Sequence, residues 1–177
     1  MRKEETLVFQ KKIFQYLVID KLLNSNGILA FVIRQGVFKS AQNGVGFRRF
    51  RVKDDYDIKV LRVDDLSNIR AFDNATNSTA LVYIRKNAST KYPVPYILWK
   101  KRVDLNKLSF NAYSELREVK SQIEQNEQLA IPAVAEDSTS IWMTANESQL
   151  ASIRKVLGHN EYRARTGVFT GGANAVY

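Results

Sequence analysis

A short polar segment separates two apolar runs in the middle of the chain, and this spacing constrains the fold more than any other feature. Residues 58–63 (IKVLRV) and 79–85 (TALVYIR) have the length and composition of β-strands. The link between them, residues 64–77, is polar and rich in turn-forming side chains. Such a link suits an antiparallel pair better than a parallel crossover, which usually contains a helix. The sequence therefore predicts a hairpin of two strands.

A helix and a buried strand are predicted before this hairpin. Residues 4–23 carry apolar side chains at helical spacing, and the turn residues 24–27 (NSNG) end the pattern. Residues 28–33 (ILAFVI) form a short apolar run that favours a strand buried on both faces. The long connector that follows allows this strand to lie parallel to residues 58–63. Helix, tight turn and buried strand are typical of an α/β fold.

The second half of the chain has weaker patterns. Residues 112–129 and 147–157 have apolar side chains at helical spacing, which favours two helices. Short extended segments are expected at residues 97–99 and 140–143. The tail, residues 162–177, is rich in glycine and has no periodicity. We therefore expect a mostly helical segment after the strands.

Composition and charge limit the classes of function. The chain has 177 residues, no cysteine and one histidine, which argues against a disulfide framework or a zinc site. With 27 Lys and Arg against 18 Asp and Glu, the net charge is +9. A polyanionic partner is favoured, because Lys and Arg release counterions when they bind nucleic acid. No signal peptide pattern and no apolar run of about 20 residues is present, so a cytoplasmic protein without a membrane segment is expected.

Basic and aromatic residues alternate in the connector after the first strand, within the sequence GVGFRRFR (residues 44–51) and just before it. We predict DNA phosphate contacts for the basic residues Lys39, Arg48, Arg49 and Arg51. An ordinary solvated face is an equally good interpretation. The pair Gly44-x-Gly46 is weak evidence for a cofactor loop, because no strand leads directly into it.

Residues 65–86 (DLSNIRAFDNATNSTALVYIRK), with the upstream GILAFVIRQGVFKS and GVGFRRFR, resemble the C-terminal part of the methyltransferase domain in adenine-specific (N6) DNA methyltransferases, of the type fused in restriction–modification enzymes. The resemblance covers about residues 14–99, and residues 162–177 match more weakly. It implies an α/β fold with a partial Rossmann-like methyltransferase sheet that ends in an antiparallel hairpin. Residues 28–33 would be its fifth strand, and the hairpin would be the sixth and seventh.

The resemblance implies transfer of a methyl group from S-adenosylmethionine to adenine in a specific DNA sequence, after base flipping. Phe72 matches the aromatic residue that packs against the target adenine in this family. From the sequence alone, a core phenylalanine that closes the hairpin is the commoner role. Asn77 is a candidate for the base pocket, because an amide can pair with an adenine edge, and ordinary turn chemistry is the alternative.

The sequence contains no glycine-rich cofactor loop after a strand and no Asn/Asp-Pro-Pro-aromatic tetrapeptide. We therefore expect no catalytic residue in this chain, no metal, and no binding of S-adenosylmethionine without the rest of the enzyme. The expected partners are DNA and the missing N-terminal half of the methyltransferase, and self-association through an exposed sheet is a further expectation. A DNA-binding or specificity module without catalysis, or an inactive structural fragment, is the alternative.

Three divisions of the chain follow from this interpretation. Residues 1–103 would be the C-terminal half of the catalytic domain. Residues 104–160 would be a helical extension. Residues 161–177 would be a tail that leads toward a target recognition domain.

Overall fold

The computed structural model describes residues 18–42, 44–52, 56–69, 77–109, 111, 113–157 and 161. Residues 18–22 are helical, and the rest of the helix predicted at residues 4–23 lies outside the described residues. The elements that follow are β1 (Ile28–Arg34), α1 (Gly36–Lys39), α2 (Val45–Arg48), β2 (Arg51–Val52), β3 (Tyr56–Asp65), β4 (Thr79–Lys86), β5 (Val94–Lys101), α3 (Leu116–Gln122), β6 (Ile123–Pro132), β7 (Trp142–Ala145) and α4 (Glu147–Val156). Within these ranges, no helix has the length and apolar character needed to cross a membrane.

The strands form one mixed sheet in the order β1-β4-β3-β5-β6-β7, and β2 pairs with β3 outside this path. Strands β3 and β4 pair antiparallel, with Asp65 opposite Ala80, which confirms the predicted hairpin. Strand β1 also pairs antiparallel with β4, with Arg34 opposite Thr79. Strands β1 and β3 therefore run in the same direction with β4 between them, and β5 extends the sheet by pairing parallel with β3. The predicted α/β fold is confirmed.

One face of the sheet carries the main hydrophobic core. Along β4, every second side chain is fully buried on this face: Ala80, Val82 and Ile84. The short helices α1 and α2 cover the face with aromatic rings. The ring centroid of Phe38 lies 4.6 Å from that of Trp142 and 5.9 Å from that of Phe47. Aromatic pairs of this kind contribute about 0.5–1.5 kcal/mol to stability beyond their buried area. Because its aromatic rings pack on this face of the sheet, the basic-aromatic connector is mainly part of the core.

The opposite face of the sheet is covered unevenly. Helix α4 packs Leu150 against Ile131 and Ala145 of the last two strands. At the other end, Ile28 and Val32 of β1 are 55% and 46% exposed. The prediction that the first strand is buried on both faces is therefore wrong. Strand β1 is the terminal strand of the order, and among the described residues only its core-side face is packed.

The segment after β5 differs from its prediction. Helix α3 ends at Gln122, and strand β6 begins at once with Ile123, inside the helix predicted at residues 112–129. Pairing with β5, from Val94 opposite Ala130 to Lys101 opposite Ile123, overrides the weak helical pattern of this polar sequence. The prediction of a mostly helical segment is wrong in this respect, whereas β7 and α4 match the extended segment and the second helix.

The sheet continues from β5 to β6 across the boundary proposed after residue 103. The division into residues 1–103, 104–160 and 161–177 stays a prediction. Apart from residue 161, the tail lies outside the described residues.

Candidate functional site

Two adjacent carboxylates end strand β3 and mark the polar edge of the sheet. Asp64 and Asp65 are only 2% and 3% exposed. Because successive side chains of a strand point to opposite faces, the two carboxylates lie on opposite sides of the sheet. They therefore contact different sets of residues, although they are neighbours in the chain.

The Asp65 carboxylate accepts three hydrogen bonds from uncharged donors. Its Oδ2 atom accepts from Gln35 Nε2 at 3.1 Å and from the Tyr96 hydroxyl at 2.5 Å. Its Oδ1 atom accepts from the backbone N–H of Ser67 at 2.9 Å. A buried carboxylate must be compensated by such bonds, because removing it from water is costly. Asp65 thereby joins the end of its own strand to the segment after β1 and to β5.

Lys39 is directed toward the same network. Its Nζ atom donates to Thr144 Oγ1 at 2.7 Å and lies 5.1 Å from the centroid of the Tyr96 ring. Burial lowers the pKa of Lys39, and the nearby Asp65 carboxylate opposes this shift. Burial, followed by the charge of Asp65 and the hydrogen bond to it, raises the pKa of Tyr96, so its hydroxyl stays a donor. Lys39 faces the protein interior, which argues against its predicted phosphate contact.

Asp64 has a charged partner instead. The Nε atom of Arg62 donates to Asp64 Oδ1 at 2.8 Å, and its Nη2 atom forms an ion pair with the same oxygen at 2.6 Å. Burial, with the charge of Asp64 next in order, raises the pKa of Tyr83, whose ring centroid lies 5.8 Å from the Arg62 guanidinium. This cluster is an ion pair on the sheet face. Among the described residues, no group of three or more His, Cys, Asp or Glu side chains could hold a metal ion.

Backbone hydrogen bonds fix both ends of the connection between β3 and β4. The N–H of Leu66 donates to the carbonyl of Thr79 at 3.0 Å, so the two ends lie side by side. The N–H of Ile69 donates to the carbonyl of Leu66 at 3.1 Å, which forms a turn at the start of the connection. The connection therefore leaves the sheet and returns to it at one place.

The end of β1 reaches the same place. The backbone N–H of Gln35 donates to the carbonyl of Ser78 at 2.9 Å. The guanidinium of Arg34 donates to the side-chain oxygen of Asn77. The carboxyl ends of β1 and β3 and the start of β4 thus meet at one edge of the sheet.

The two residues predicted to hold the target base belong to this connection. Phe72 lies within residues 70–76, outside the described residues, so its stacking role stays a prediction. Asn77 is exposed, and its bond to Arg34 is a long-range contact across the sheet edge. Its role in a base pocket also stays a prediction.

Arg48, predicted to contact phosphate, is a fully buried core residue. Its Nε atom donates to the carbonyl of Thr139 at 2.7 Å, and its Nη1 atom to the carbonyls of Val37 at 2.5 Å and Ser40 at 3.0 Å. Burial lowers the pKa of Arg48. The prediction is wrong for this residue, because its guanidinium is enclosed and bonded to backbone carbonyls. The aromatic neighbours at positions 47 and 50 were the sequence signal of a buried turn.

Arg49 and Arg51 are exposed, which is compatible with their predicted phosphate contacts but does not test them. The Nε atom of Arg51 lies 3.8 Å from Asp57 Oδ1, across the pairing of β2 with β3. A long, exposed ion pair of this kind contributes little to stability. The phosphate contacts of these two residues stay predictions.

The pair Gly44-x-Gly46 does not fit a cofactor cradle. A Cβ atom on Gly44 would lie 1.9 Å from the Val37 carbonyl oxygen and 2.0 Å from Arg48 Nη1, so the protein itself fills this space. A Cβ atom on Gly46 would meet nothing within 4 Å, so no close contact requires glycine there. This segment therefore does not fit S-adenosylmethionine, and Gly44 serves the packing of α2.

No protein-family model and no curated protein matches the sequence. One similar solved structure comes from work on the complex assembly and conformational transition of the type I restriction–modification (R-M) system. It is 12% identical to this chain, with a TM-score of 0.43. The alignment covers 93% of this chain and 35% of that one, so this chain spans about a third of the length of that protein. A likeness at this level identifies no family for the chain.

Proposed function

We propose that the chain is part of a site-specific DNA methyltransferase of a restriction–modification system, which transfers a methyl group from S-adenosylmethionine to adenine N6. The observation that carries the proposal is the edge where β1, β3 and β4 meet. There the connection that contains Phe72 in sequence is held at both ends, by Leu66 bonded to Thr79 and by Gln35 bonded to Ser78. A loop that grips a base needs such fixed ends, because stacking requires a defined position.

In this proposal the chain provides one wall of the target-base pocket. An enzyme that modifies a base takes it out of the helical stack, and stacking on an aromatic side chain is worth about 1–3 kcal/mol per base. Phe72 would supply this stacking, and Asn77 would lie beside it. Arg49 and Arg51 would contact the DNA backbone and release counterions.

The remaining parts of the proposed enzyme would come from a partner. S-adenosylmethionine supplies the methyl group when it is bound, and the segment that binds it would be the N-terminal half of the methyltransferase. The exposed apolar side chains Ile28 and Val32 of β1 support an association of this kind, or self-association through the sheet. The reaction would take place in the cytoplasm.

The second candidate is a DNA-binding or specificity module without catalysis. The net charge of +9 and the exposed Arg49 and Arg51 support it, because these features are sufficient for phosphate contacts. This module would need neither Phe72 stacking nor a cofactor.

Replacement of Phe72 by alanine separates the two candidates. In an enzyme reassembled with a segment that carries a glycine-rich loop and an Asn-Pro-Pro-Tyr-like tetrapeptide, Phe72→Ala should lower the methylation rate by about tenfold or more and leave duplex affinity within about twofold. Methylation is measured by transfer of a labelled methyl group and affinity by fluorescence anisotropy. A loss of duplex affinity with no methylation by the wild type would instead support the module.

Calorimetry of the chain alone with S-adenosylmethionine is the companion experiment. No binding is expected, while a DNA duplex should bind more weakly as the salt concentration rises. Tight cofactor binding by the chain alone would contradict the proposed division of labour between this chain and its partner.

A further inference from the structure

We infer that two copies of this chain associate through β1, whose strands pair antiparallel about a twofold axis at Ala30. The inference goes beyond the proposed function and does not depend on it, because the association needs neither DNA nor a cofactor. It rests on three observations: the free edge of β1, which is the side of the strand that faces away from β4; the exposed apolar side chains along β1; and a register that brings these side chains together.

Hydrogen bonds to β4 define which backbone groups of β1 point toward its free edge. The carbonyl of Gly27 accepts from the N–H of Lys86. At the other end of the strand, the N–H of Gln35 donates to the carbonyl of Ser78. In an antiparallel pair, successive residues direct their backbone groups alternately toward the partner strand and away from it. The even-numbered residues of Ile28–Arg34 therefore direct their N–H and carbonyl groups toward the free edge.

Strand β1 lacks the features that usually protect a terminal strand. Its pairing with β4 is continuous over all seven residues, its sequence has no proline, and its one charged residue, Arg34, is the last. Within the part of the chain that the structure describes, β4 is the only strand that pairs with it. At the other end of the strand order, β7 has only four residues. A long, apolar terminal strand without such protection readily pairs with another strand.

The apolar side chains of β1 are arranged symmetrically about Ala30. On the face opposite the main core, Ile28 and Val32 are 55% and 46% exposed. On the core face, Leu29 and Phe31 are only partly buried. When Ala30 lies opposite Ala30 of the second copy, Ile28 lies opposite Val32. The same register places Leu29 opposite Phe31, so each of these side chains acquires an apolar neighbour on its own face of the joined sheet.

The alternative registers are less favourable. Moving the axis by one residue in either direction would place Ile28 opposite the charged Arg34, or Val32 opposite the polar Asn26. A parallel pairing in register would place the two Arg34 side chains next to each other, where like charges repel. With the axis at Ala30, the two Arg34 side chains lie at opposite ends of the paired strands. The pattern of β1 therefore fits a second copy of itself in one antiparallel register.

The net charge gives this association a salt dependence opposite to that of DNA binding. Each copy carries a net charge of +9, so two copies repel each other at low salt concentration. Salt screens this repulsion and leaves the apolar contacts in place. The dimer should therefore become more stable as the salt concentration rises, whereas binding to DNA becomes weaker.

Sedimentation equilibrium of the full chain, between about 1 μM and about 1 mM, tests the association. We expect a monomer–dimer equilibrium that shifts toward the dimer as salt is added. Val32→Lys should raise the dissociation constant by at least about tenfold, because the twofold axis removes the apolar contact twice. Val156→Lys is the matched control. It adds the same charge at a 78% exposed position of α4, which packs on β6 and β7.

Single cysteines test the register, because the chain has no cysteine of its own. Directly opposed residues of a hydrogen-bonded antiparallel pair have Cα atoms about 5.5 Å apart, which a disulfide can join. Ala30→Cys should therefore cross-link two copies under mild oxidation. Val32→Cys should not, because the two copies of position 32 would be four residues out of register, about 13 Å along the strands.

Every other outcome overturns the inference. A chain that stays monomeric leaves the free edge of β1 to another protein, such as the N-terminal half of the methyltransferase. A dimer that Val32→Lys and Val156→Lys weaken equally, or that salt weakens, forms through another surface. Cross-linking of Val32→Cys as readily as Ala30→Cys rejects the antiparallel register, and this pair decides the question even if Val32→Lys does not fold. None of these measurements involves methylation, so a failure here and a failure of the proposed function are distinguishable.

Discussion

Arg48 and Asp65 are both charged and buried, and each is bonded to uncharged groups, yet they stabilise different parts of the molecule. Arg48 donates mostly to carbonyls of its own connector, such as those of Val37 and Ser40, which holds α1 and α2 over the core. Asp65 accepts from Ser67, two residues along the chain, and from Gln35 and Tyr96 in segments 30 and 31 residues away, at the edge of the sheet. The buried Arg48 thus holds the connector over the aromatic core, whereas the buried Asp65 joins the end of β3 to the segment after β1 and to β5.

The largest effect that would test this comparison is the loss of stability on replacing Arg48. Arg48→Met keeps most of the side-chain volume but leaves buried carbonyl groups without donors, and we expect it to lower the free energy of unfolding by about 3–5 kcal/mol. Urea unfolding followed by circular dichroism measures this change.

The adjacent Arg49 is the control for this prediction. Arg49 is exposed, so Arg49→Met should change the free energy of unfolding by no more than about 0.5 kcal/mol. Equal changes in the free energy of unfolding for the two substitutions would show that Arg48 has no special role in the core. The comparison of Arg48 with Asp65 would then have no basis.

A smaller effect concerns two tyrosines, the buried Tyr96 near Asp65 and the partly buried Tyr92 near Arg48. Tyr96 contacts Asp65, and burial with the charge of Asp65 raises its pKa. Above pH 10 an unfolded tyrosine loses its proton while the folded Tyr96 keeps it, so stability falls as the pH rises. Tyr96→Phe should reduce this fall by up to about 1.4 kcal/mol per pH unit between pH 10 and 11.

Tyr92 is the matched tyrosine near Arg48. Burial raises the pKa of Tyr92 as well, but the Trp142 side chain and the charge of Arg48 oppose the shift. Tyr92→Phe should therefore change the pH dependence less than Tyr96→Phe. Urea unfolding of the wild type and both variants at several pH values gives the comparison, and the reverse order would contradict the different surroundings of the two rings.

The sequence predicts the local parts of this fold well. The β3–β4 hairpin, the strand after residues 24–27 and helix α4 each have a pattern of apolar residues within one short segment. Strand β6 was missed because its sequence is polar and its pairing partner β5 lies at the end of a long connection. A strand whose exposed side chains stand together in its first half, rather than alternating with buried ones, leaves little periodic signal.

The candidate site is less predictable for a related reason. The acidic pair at residues 64–65 is visible after an apolar strand, but the partners of Asp65 come from segments about 30 residues away on either side. No local pattern reports such contacts. In the basic-aromatic connector, the sequence predicted phosphate contacts for both Arg48 and Arg49. Arg48 is buried and Arg49 is exposed, and the residue type alone does not distinguish the two.

The smallest expected effect is a change in the salt dependence of DNA affinity when the exposed arginines are replaced. These substitutions should leave the free energy of unfolding almost unchanged. If Arg49 and Arg51 each contact one DNA phosphate, Arg49→Ala and Arg51→Ala should each reduce the slope of log affinity against log salt by about 0.9 for a DNA duplex. Lys155→Ala is the control. Lys155 is exposed on α4, and α4 packs on the face of the sheet opposite the main hydrophobic core. An equal reduction in all three variants would mean that the net charge of +9 attracts DNA without a defined surface. A reduction confined to Arg49 and Arg51 would leave Arg48 as the only arginine of the GVGFRRFR stretch whose role is purely structural.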